Sequence, residues 1–558
     1  MRVLGVNALF HDPSAALVVD GRVVAAAEEE RFSRRKHGKR PLPFAAWELP
    51  EKAMAWCLEE GGLRPQDLDA VAYSFDPALA KPAEEMGLPD PWDWLRVQYA
   101  ERAPQFLATA LPGLSPSTVR FVPHEVAHAA SAALASPFPV ASVLSLDGRG
   151  ERSSHLAGRY DHGRLEVLAS QELPHSLGLV YESLTEHLGF LRSSDEYKVM
   201  ALASYGEPRF LDDLREVLYA TGDGGFVAEV PDWERWAPRR TDDGTWGTAH
   251  GGRAEHADLA ASVQARLEEV LVDLATWLHG QTGDRVLTMA GGTALNCVAN
   301  SRVWRESPFE EVWVQPAAGD SGTALGAALQ LAAEAGDTVE PMGSAALGRA
   351  WGDEALARWL RTAQVPFTTP DDLPGEVGRI LADNGVVAWF DGRAELGPRA
   401  LGHRSLLAHT GPVENLERLN DVKGREQFRP VAPMVLLEDA AEIFSGGPVP
   451  SPYMLFVHEV APAWRDRIAA VVHVDGTARI QTVDDSTPRL QATIRAFKEL
   501  TGLPVVVNTS LNTAGRPMVD DPRDALELFG SAPVDALVLG PHLVRRPDVF
   551  AAPSGATA

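Results

Sequence analysis

The sequence predicts an α/β protein of two domains, the first of them internally duplicated. Three observations lead there. A chain of 558 residues is too long for one hydrophobic core. A strand, polar turn, strand, Asp/Gly turn, strand phrase occurs at the start and returns at 141–170. The pattern lapses over 335–365, with Gly343 and Gly348, and a fresh α/β pattern begins at Gly375. We therefore expect domains of 1–350 and 351–558.

The elements follow in order. Val3–Asn7 reads as a strand, His11-Asp12-Pro13-Ser14 as a polar turn, and Ala15–Val19 as a second strand. Asp20-Gly21 is a tight-turn signal before the strand Arg22–Ala27. In the second phrase Val143–Leu146 is a strand, Asp147-Gly148-Arg149-Gly150 a glycine turn, and His155–Tyr160 a strand. Asp161-His162-Gly163 then turns into the strand Arg164–Leu168. Amphipathic helices are expected at 51–61 and 92–110. Asp232–Gly252, rich in Trp and Gly, reads as a long loop, and Ala254–His279 as a long helix. The strand Val286–Met289 runs into Gly291-Gly292. The strand Val312–Val314 precedes Gly319-Asp320-Ser321-Gly322, which opens an Ala-rich helix. In the second domain a helix from Gly375 to Asp383 leads into the strand Val386–Phe390. The pattern continues to Leu539, and a polar, Ala-rich tail follows.

Composition narrows the function classes. The net charge of -26 repels phosphate backbones, so no nucleic-acid partner is expected. The two cysteines, Cys57 and Cys297, lack C-x-x-C spacing, which excludes a disulfide scaffold and fits a reducing cytoplasm. No stretch approaches the ~18 apolar residues of a membrane span, so the expectation is a cytoplasmic protein without a membrane partner.

His124-Glu125-Val126-Ala127-His128 spells H-E-x-x-H. On a helix, two His four apart share one face and grip one metal ion. The motif also reads as a zinc protease with Glu125 as base, but no third ligand follows in the expected extension. The glycine turns Asp147–Gly150 and Gly319–Gly322 suit oxyanions, because bare backbone N–H groups and helix N-termini attract negative charge. Met289–Asn296 is a third turn of this kind, at which a nucleotide could lie. Together they suggest a nucleotide between two α/β halves, with His124, His128, Asp147 and Asp320 converging on a metal. Two His in the set favour iron, manganese or zinc over bare magnesium. In the second half, Gly392–Ser405 and Asn420–Pro430 concentrate Arg and Lys in an otherwise acidic protein. Arg forks bind phosphate or carboxylate bidentately. The strand Val505–Ser510 ends in polar groups that orient an anion.

HDPSAALVVDGRVVAAAEEERFSRRKH, EYKVMALASYG, GGTALNCVAN, PAAGDSGTALGAAL, GRAELGPRALGHRS, LNDVKGREQFRP and VVVNTSLN span nearly the whole chain. As an ordered set they resemble the bacterial O-carbamoyltransferase family of nodulation and antibiotic biosynthesis. The resemblance implies an N-terminal actin-like duplicated domain, similar to the tRNA threonylcarbamoyl transferases, and a C-terminal YrdC-like α/β domain. It implies that ATP and carbamoyl phosphate give carbamoyladenylate in the second domain. The carbamoyl group then passes to an acceptor hydroxyl in the first.

Carried over by motif, His124, His128, Asp147 and Asp320 are metal ligands, with iron the first expectation and magnesium accompanying ATP. Gly148, Lys198, Gly291, Gly292 and Asn296 hold nucleotide. His11 orients or deprotonates the acceptor hydroxyl, and Lys36 neutralises phosphate. Lys423 and Arg425 match the Lys-x-Arg of YrdC-like proteins and act with Arg429. Arg404 and Arg479 clamp anions, and Asn508 and Ser510 form the strand-end pair. The implied acceptor is a hydroxylated natural product, an aminoglycoside in the branch most similar to this chain, with Asp195 and Glu196 facing its ammonium groups. A homodimer, the commonest assembly, is expected. A metallopeptidase resting on H-E-x-x-H and a non-catalytic actin-like nucleotide-binding module stand as alternatives.

Overall fold

A computed structural model describes residues 1–38, 48–88, 90, 92–240, 254–513 and 515–550. The expected loop Asp232–Gly252 falls largely outside the described residues, as does the tail after Phe550. The chain divides into two compact units. One is Met1–Leu347 with Leu396–Pro398; the other is Gly348–Glu395 with Arg399–Ala558.

The first unit is a mixed α/β structure built twice on one plan. β1 (Arg2–Asn7), β2 (Ser14–Val19), β3 (Arg22–Glu28), β4 (Ala70–Tyr73) and β5 (Val119–Phe121) form a sheet in the order β3-β2-β1-β4-β5. β6 (Val140–Leu146), β7 (Ser153–Asp161) and β8 (Arg164–Glu172) start the second sheet. β9 (Leu218–Ala220) and β10 (Phe226–Ala228) make a small separate hairpin. β11 (Val286–Ala290) and β12 (Glu311–Val314) complete the second sheet, ordered β12-β11-β6-β7-β8. In both sheets the first three strands are antiparallel and the last two join parallel. The duplication expected from the repeated phrase, and the actin-like plan implied by the resemblance, are thus present in strand order and direction.

Local chemistry explains the shared hairpins. Two-residue loops between right-twisted strands need positive φ at both positions. Asp20 and Gly21 supply φ of 49° and 79°, and His162 and Gly163 supply 48° and 85°. The helix expected over 92–110 is two helices, Asp93–Glu101 and Ala103–Ala110. Pro104 lacks the N–H that a continuous helix would need there, so the chain restarts at Ala103.

Two helices between the sheets position the site. Ser321–Glu334 packs on β1 and on His124–Ala133, and all three contribute to buried apolar clusters rich in Ala. Gly326 is the point of closest approach. A Cβ there would lie 1.8 Å from the Ala127 carbonyl oxygen, so only glycine lets the two helices come this near.

The second unit is a seven-stranded mixed sheet with helices packed on it. Its strands are β13 (Val387–Phe390), β14 (Arg404–His409), β15 (Ala432–Leu436), β16 (Phe444–Ser445), β17 (His458–Val460), β18 (Thr477–Ala478), β19 (Gln481–Val483), β20 (Val505–Ser510), β21 (Ala536–Leu539) and β22 (His542–Arg545). The main sheet runs β19-β15-β20-β14-β13-β21-β22, and β16-β17-β18 form a small second one. The runs Val505-Val506-Val507 and Ala536–Leu539 are fully buried, which makes them central strands of the core. Pairing of Ser405 with Ser510 sets the starts of β14 and the end of β20 side by side.

Candidate functional site

His124 opens its helix, and His128 lies one turn on the same face. Glu151 fixes the helix start: its carboxylate accepts the His124 N–H at 2.9 Å and the Asp76 N–H at 2.7 Å. The His124 ring is aimed by Nδ1, which donates to the Ser74 carbonyl at 3.1 Å and turns Nε2 inward. There it meets His128 Nε2 at 3.2 Å. Asp147, at the end of β6, lies 3.6 Å from His124 and 3.8 Å from His128. Asp320, at the N-terminus of its helix, lies 3.7 and 3.6 Å from the same nitrogens. All four residues are buried, and their ligand atoms lie within 4.8 Å of one another.

The donor set fits a metal ion. Neither carboxylate oxygen of Asp320 receives a hydrogen bond among the described residues, although both are buried. Leaving a buried carboxylate so bare is costly unless a cation answers it. Two imidazoles and two carboxylates are the ligand chemistry of iron, manganese or zinc. Burial pushes the Asp320 carboxyl up, but His11, His124 and His128 outweigh it and hold it well below the usual range. Asp147 is held low as well, His128 and His124 outweighing burial and Asp320.

Glu125 faces away from this role. Its Oε2 accepts from Ser145 Oγ at 2.5 Å, and burial, then Asp147, raises its carboxyl to about 8. A peptidase base would need to hold a water against the metal; here Oε2 is taken by a strand hydroxyl, and Oε1 is buried without a hydrogen-bond partner among the described residues.

The glycine turns lie against the cluster. Gly292 N–H donates to Asp147 Oδ1 at 2.8 Å. Gly291 has φ of 90°, and a Cβ on it would meet the Leu146 carbonyl oxygen at 2.1 Å. Ser176 Oγ donates to the Gly148 carbonyl at 2.7 Å. Asn296 does something other than expected. Its Oδ1 caps the helix Cys297–Glu306 through Ala299 N–H, and both ends of its amide pair with Gln264. Its side chain is thereby committed to the helix start.

His11 lies in the β1–β2 turn, its Nε2 3.8 Å from Asp320 Oδ2 and its Nδ1 2.9 Å from Asp12. Lys36 Nζ is 3.4 Å from Glu30, and Lys198 Nζ pairs with Asp195 at 3.0 Å. Asp195 also accepts the Leu191 N–H, so it braces its loop. Glu196 accepts the Ser193 N–H at 2.7 Å. Burial, then Glu182, raises its carboxyl to about 7, and His11 pulls it back. Glu182 was not foreseen. It takes Arg192 and Ser193 Oγ, and its Oε1 is 3.4 Å from where a Gly148 Cβ would stand.

The second unit gathers its own polar site. Lys423 is almost fully buried, and its three ammonium N–H groups are shared among Ser510 O at 2.5 Å, Ser510 Oγ at 2.9 Å, Asn512 O at 3.1 Å and Asn512 Oδ1. Arg425 Nε donates to Asn420 Oδ1 at 2.5 Å, and Arg429 pairs with Glu426 at 3.4 Å. Arg479 follows β18, its Nε buried without a hydrogen-bond acceptor among the described residues. Arg404 has no exposed surface. Its guanidinium donates to the carbonyls of Asp391, Gly392, His403 and Arg349 and stacks on Phe390. That geometry makes it a brace for the loop rather than a direct anion clamp. Asn508 braces the same loop, donating to the Ala400 carbonyl at 2.7 Å and to Gln481 at 2.9 Å. Glu395, also unforeseen, receives the N–H groups of Leu401, His403 and Arg404 on one oxygen.

Such an arrangement defines a class: a two-unit α/β protein with a buried His and Asp cluster that could hold a metal in one unit, and lysine- and arginine-rich segments in the other. Comparison with known proteins gives the family. The family description "Carbamoyltransferase N-terminus" matches residues 2–109 and 109–329, and "Carbamoyltransferase C-terminus" matches 378–546. The chain belongs to the carbamoyltransferase family, and it is an enzyme of the O-carbamoyl-transferring kind. The nodulation protein NolNO of Sinorhizobium fredii is 36% identical over 97% of this chain and 80% of its own length. Nodulation protein U of Rhizobium tropici is 31% identical over 94% of this chain and 93% of its own. Among solved structures, full-length HypF in its phosphate- and nucleotide-bound form aligns with 61% of this chain and 56% of its own. That alignment has 14% identity and a TM-score of 0.32. No described helix is long and apolar enough to cross a membrane.

Proposed function

We propose that the second unit makes carbamoyladenylate from carbamoyl phosphate and ATP, with loss of phosphate from the carbamoyl donor and of pyrophosphate from ATP, and that the first passes its carbamoyl group to a hydroxyl of a natural product. Asp320 carries this reading: a buried carboxylate without hydrogen bonds among the described residues, facing two imidazole nitrogens beside a glycine turn. A divalent metal there, iron before manganese or zinc, would hold phosphate oxygens and stabilise charge on departing AMP.

The chain's own groups supply the rest. Gly292 N–H holds Asp147 in place, and Ser74 and Glu151 hold His124. His11 takes the proton of the acceptor hydroxyl; the new O–C bond forms as the bond from the carbamoyl carbon to AMP breaks. Lys423 and Arg425, with Arg429 and Arg479, hold the anions of the first reaction. Arg404 and Asn508 shape the loop beside them. Glu196 interacts with both Glu182 and His11, and an acceptor with ammonium groups, such as an aminoglycoside, complements the acidic pair.

The test is direct. The enzyme is incubated with carbamoyl phosphate, ATP, divalent metal and a panel of hydroxylated acceptors, including aminoglycosides. The expected result is AMP with an acceptor heavier by one carbamoyl group. Peptide cleavage without AMP would favour the peptidase reading, and nucleotide binding without turnover the non-catalytic module.

A further inference from the structure

We infer that Asp12, His37 and Ser194 are positioning residues for His11 in carbamoyl transfer. The inference rests on the transfer role proposed above for His11.

The four side chains form one unbroken line. Ser194 Oγ is 2.7 Å from His37 Nε2. His37 Nδ1 is 2.9 Å from Asp12 Oδ1, and His11 Nδ1 is 2.9 Å from Asp12 Oδ2. With both imidazoles neutral, as His11 must be to accept a proton, one proton arrangement satisfies every link. The Ser194 hydroxyl donates to His37 Nε2, His37 Nδ1–H to one oxygen of Asp12, and His11 Nδ1–H to the other. That leaves His11 Nε2 as a lone pair on the side of Asp320, 3.8 Å away. The carboxylate thus sets both the tautomer and the direction of the ring, as the aspartate of a catalytic triad does.

The backbone shows that the line is held against local preference. Phe10, Asp12, His37 and Ser193 are non-glycine residues with φ of 56°, 49°, 58° and 56°. Left-handed backbone at such residues persists only where surrounding contacts impose it, and it collects at functional sites. The contacts are present. Asn7 donates to the His11 and Asp12 carbonyls at 3.0 and 3.1 Å, and buried Glu30 accepts the His37 N–H at 2.8 Å. Asp12, Glu30 and His37 are also close enough to hold a cation. Glu30, however, already meets the His37 N–H and the Lys36 ammonium, and Asp12 meets both imidazoles, so the positioning line accounts for every group.

The far end of the line gives it a use. Ser194 adjoins Asp195 and Glu196, in the loop proposed to face the acceptor. Ordering that loop would fix Ser194, and through His37 and Asp12 the ring that meets the hydroxyl.

The test uses the full chain with carbamoyl phosphate, ATP and an acceptor that the wild type modifies. Pyrophosphate release and carbamoylated product are followed separately for D12N, H37F, S194A, H11A and the double variant D12N/H11A. D12N and H37F should lower kcat for transfer about 10- to 100-fold and leave KM for the acceptor and pyrophosphate release near wild type. S194A, the mildest change, should cost a few-fold by the same split. Adding D12N to H11A should cost nothing more, because Asp12 acts through His11. Additive losses in the double variant, or an equal fall in pyrophosphate release, would overturn the inference. A wild type that releases pyrophosphate but modifies no acceptor, or modifies one as well without His11, would overturn the reading beneath it instead.

Discussion

Asp320 and Glu125 are both buried carboxylates, and they do different things. Asp320 has two bare oxygens aimed at imidazole nitrogens; Glu125 has one oxygen on Ser145. Asp320→Asn keeps the shape and removes the charge. It should lower bound metal and transfer on the order of 100-fold while Glu125→Gln costs less than about tenfold, measured by metal analysis and product formation. Equal losses would mean that Glu125 has the active role a peptidase gives it. The His pair was legible because helical spacing alone puts both rings on one face. Asp147 and Asp320 were legible as a strand end and a helix start, both within glycine turns. Glu151, Ser74 and Glu182 were not, because only the folded chain brings them to His124 and Gly148. No spacing rule links residue 151 to a helix beginning at 124. The long basic side chains misled for the opposite reason. Arg404 looked like a clamp in a loop full of cations, and its guanidinium donates to carbonyls of that loop's two ends and to that of Arg349.

Helices and strands carry the next layer. The close approach at Gly326 sets how near Asp320's helix comes to that of His128. Gly326→Ala must push a backbone carbonyl away, so we expect a loss of about 1–3 kcal/mol in denaturant unfolding and weaker metal retention. Wild-type stability in that variant would show that the helices separate freely. A second helix contact responds to pH. Glu29 accepts the N–H groups of Lys52 and Ala53 at the start of Glu51–Glu60. Burial raises its carboxyl to about 7, the two backbone donors offsetting it only in part. The fold therefore favours the neutral form relative to the unfolded chain. Its contribution is fully present below about pH 4.5 and is lost as pH rises through about 7. Unfolding of the wild type and Glu29→Gln across this range should show the extra loss only in the wild type; parallel curves would remove Glu29 as the cause. The hairpins were readable from Asp20-Gly21 and His162-Gly163. The break at Arg102 was readable from Pro104, had its missing N–H been weighed against the apolar periodicity.

At the scale of the whole molecule, the chain holds two chemically distinct sites in two units. One is a buried centre of imidazoles and carboxylates, the other a lysine against a strand end. The duplication in the first unit was visible as a repeated phrase because a β-hairpin with an Asp/Gly turn leaves a short local signature. The seven-stranded order of the second unit was not, since its neighbours β14, β20 and β15 pair across long stretches of chain. If the division of labour is right, the two reactions separate by mutation. The most direct measurement follows pyrophosphate release and carbamoylated acceptor side by side in the wild type, Lys423→Ala and His128→Ala. The account predicts that Lys423→Ala loses both products, whereas His128→Ala keeps releasing pyrophosphate and loses only the carbamoylated acceptor. Equal loss of pyrophosphate release in the two variants would contradict it.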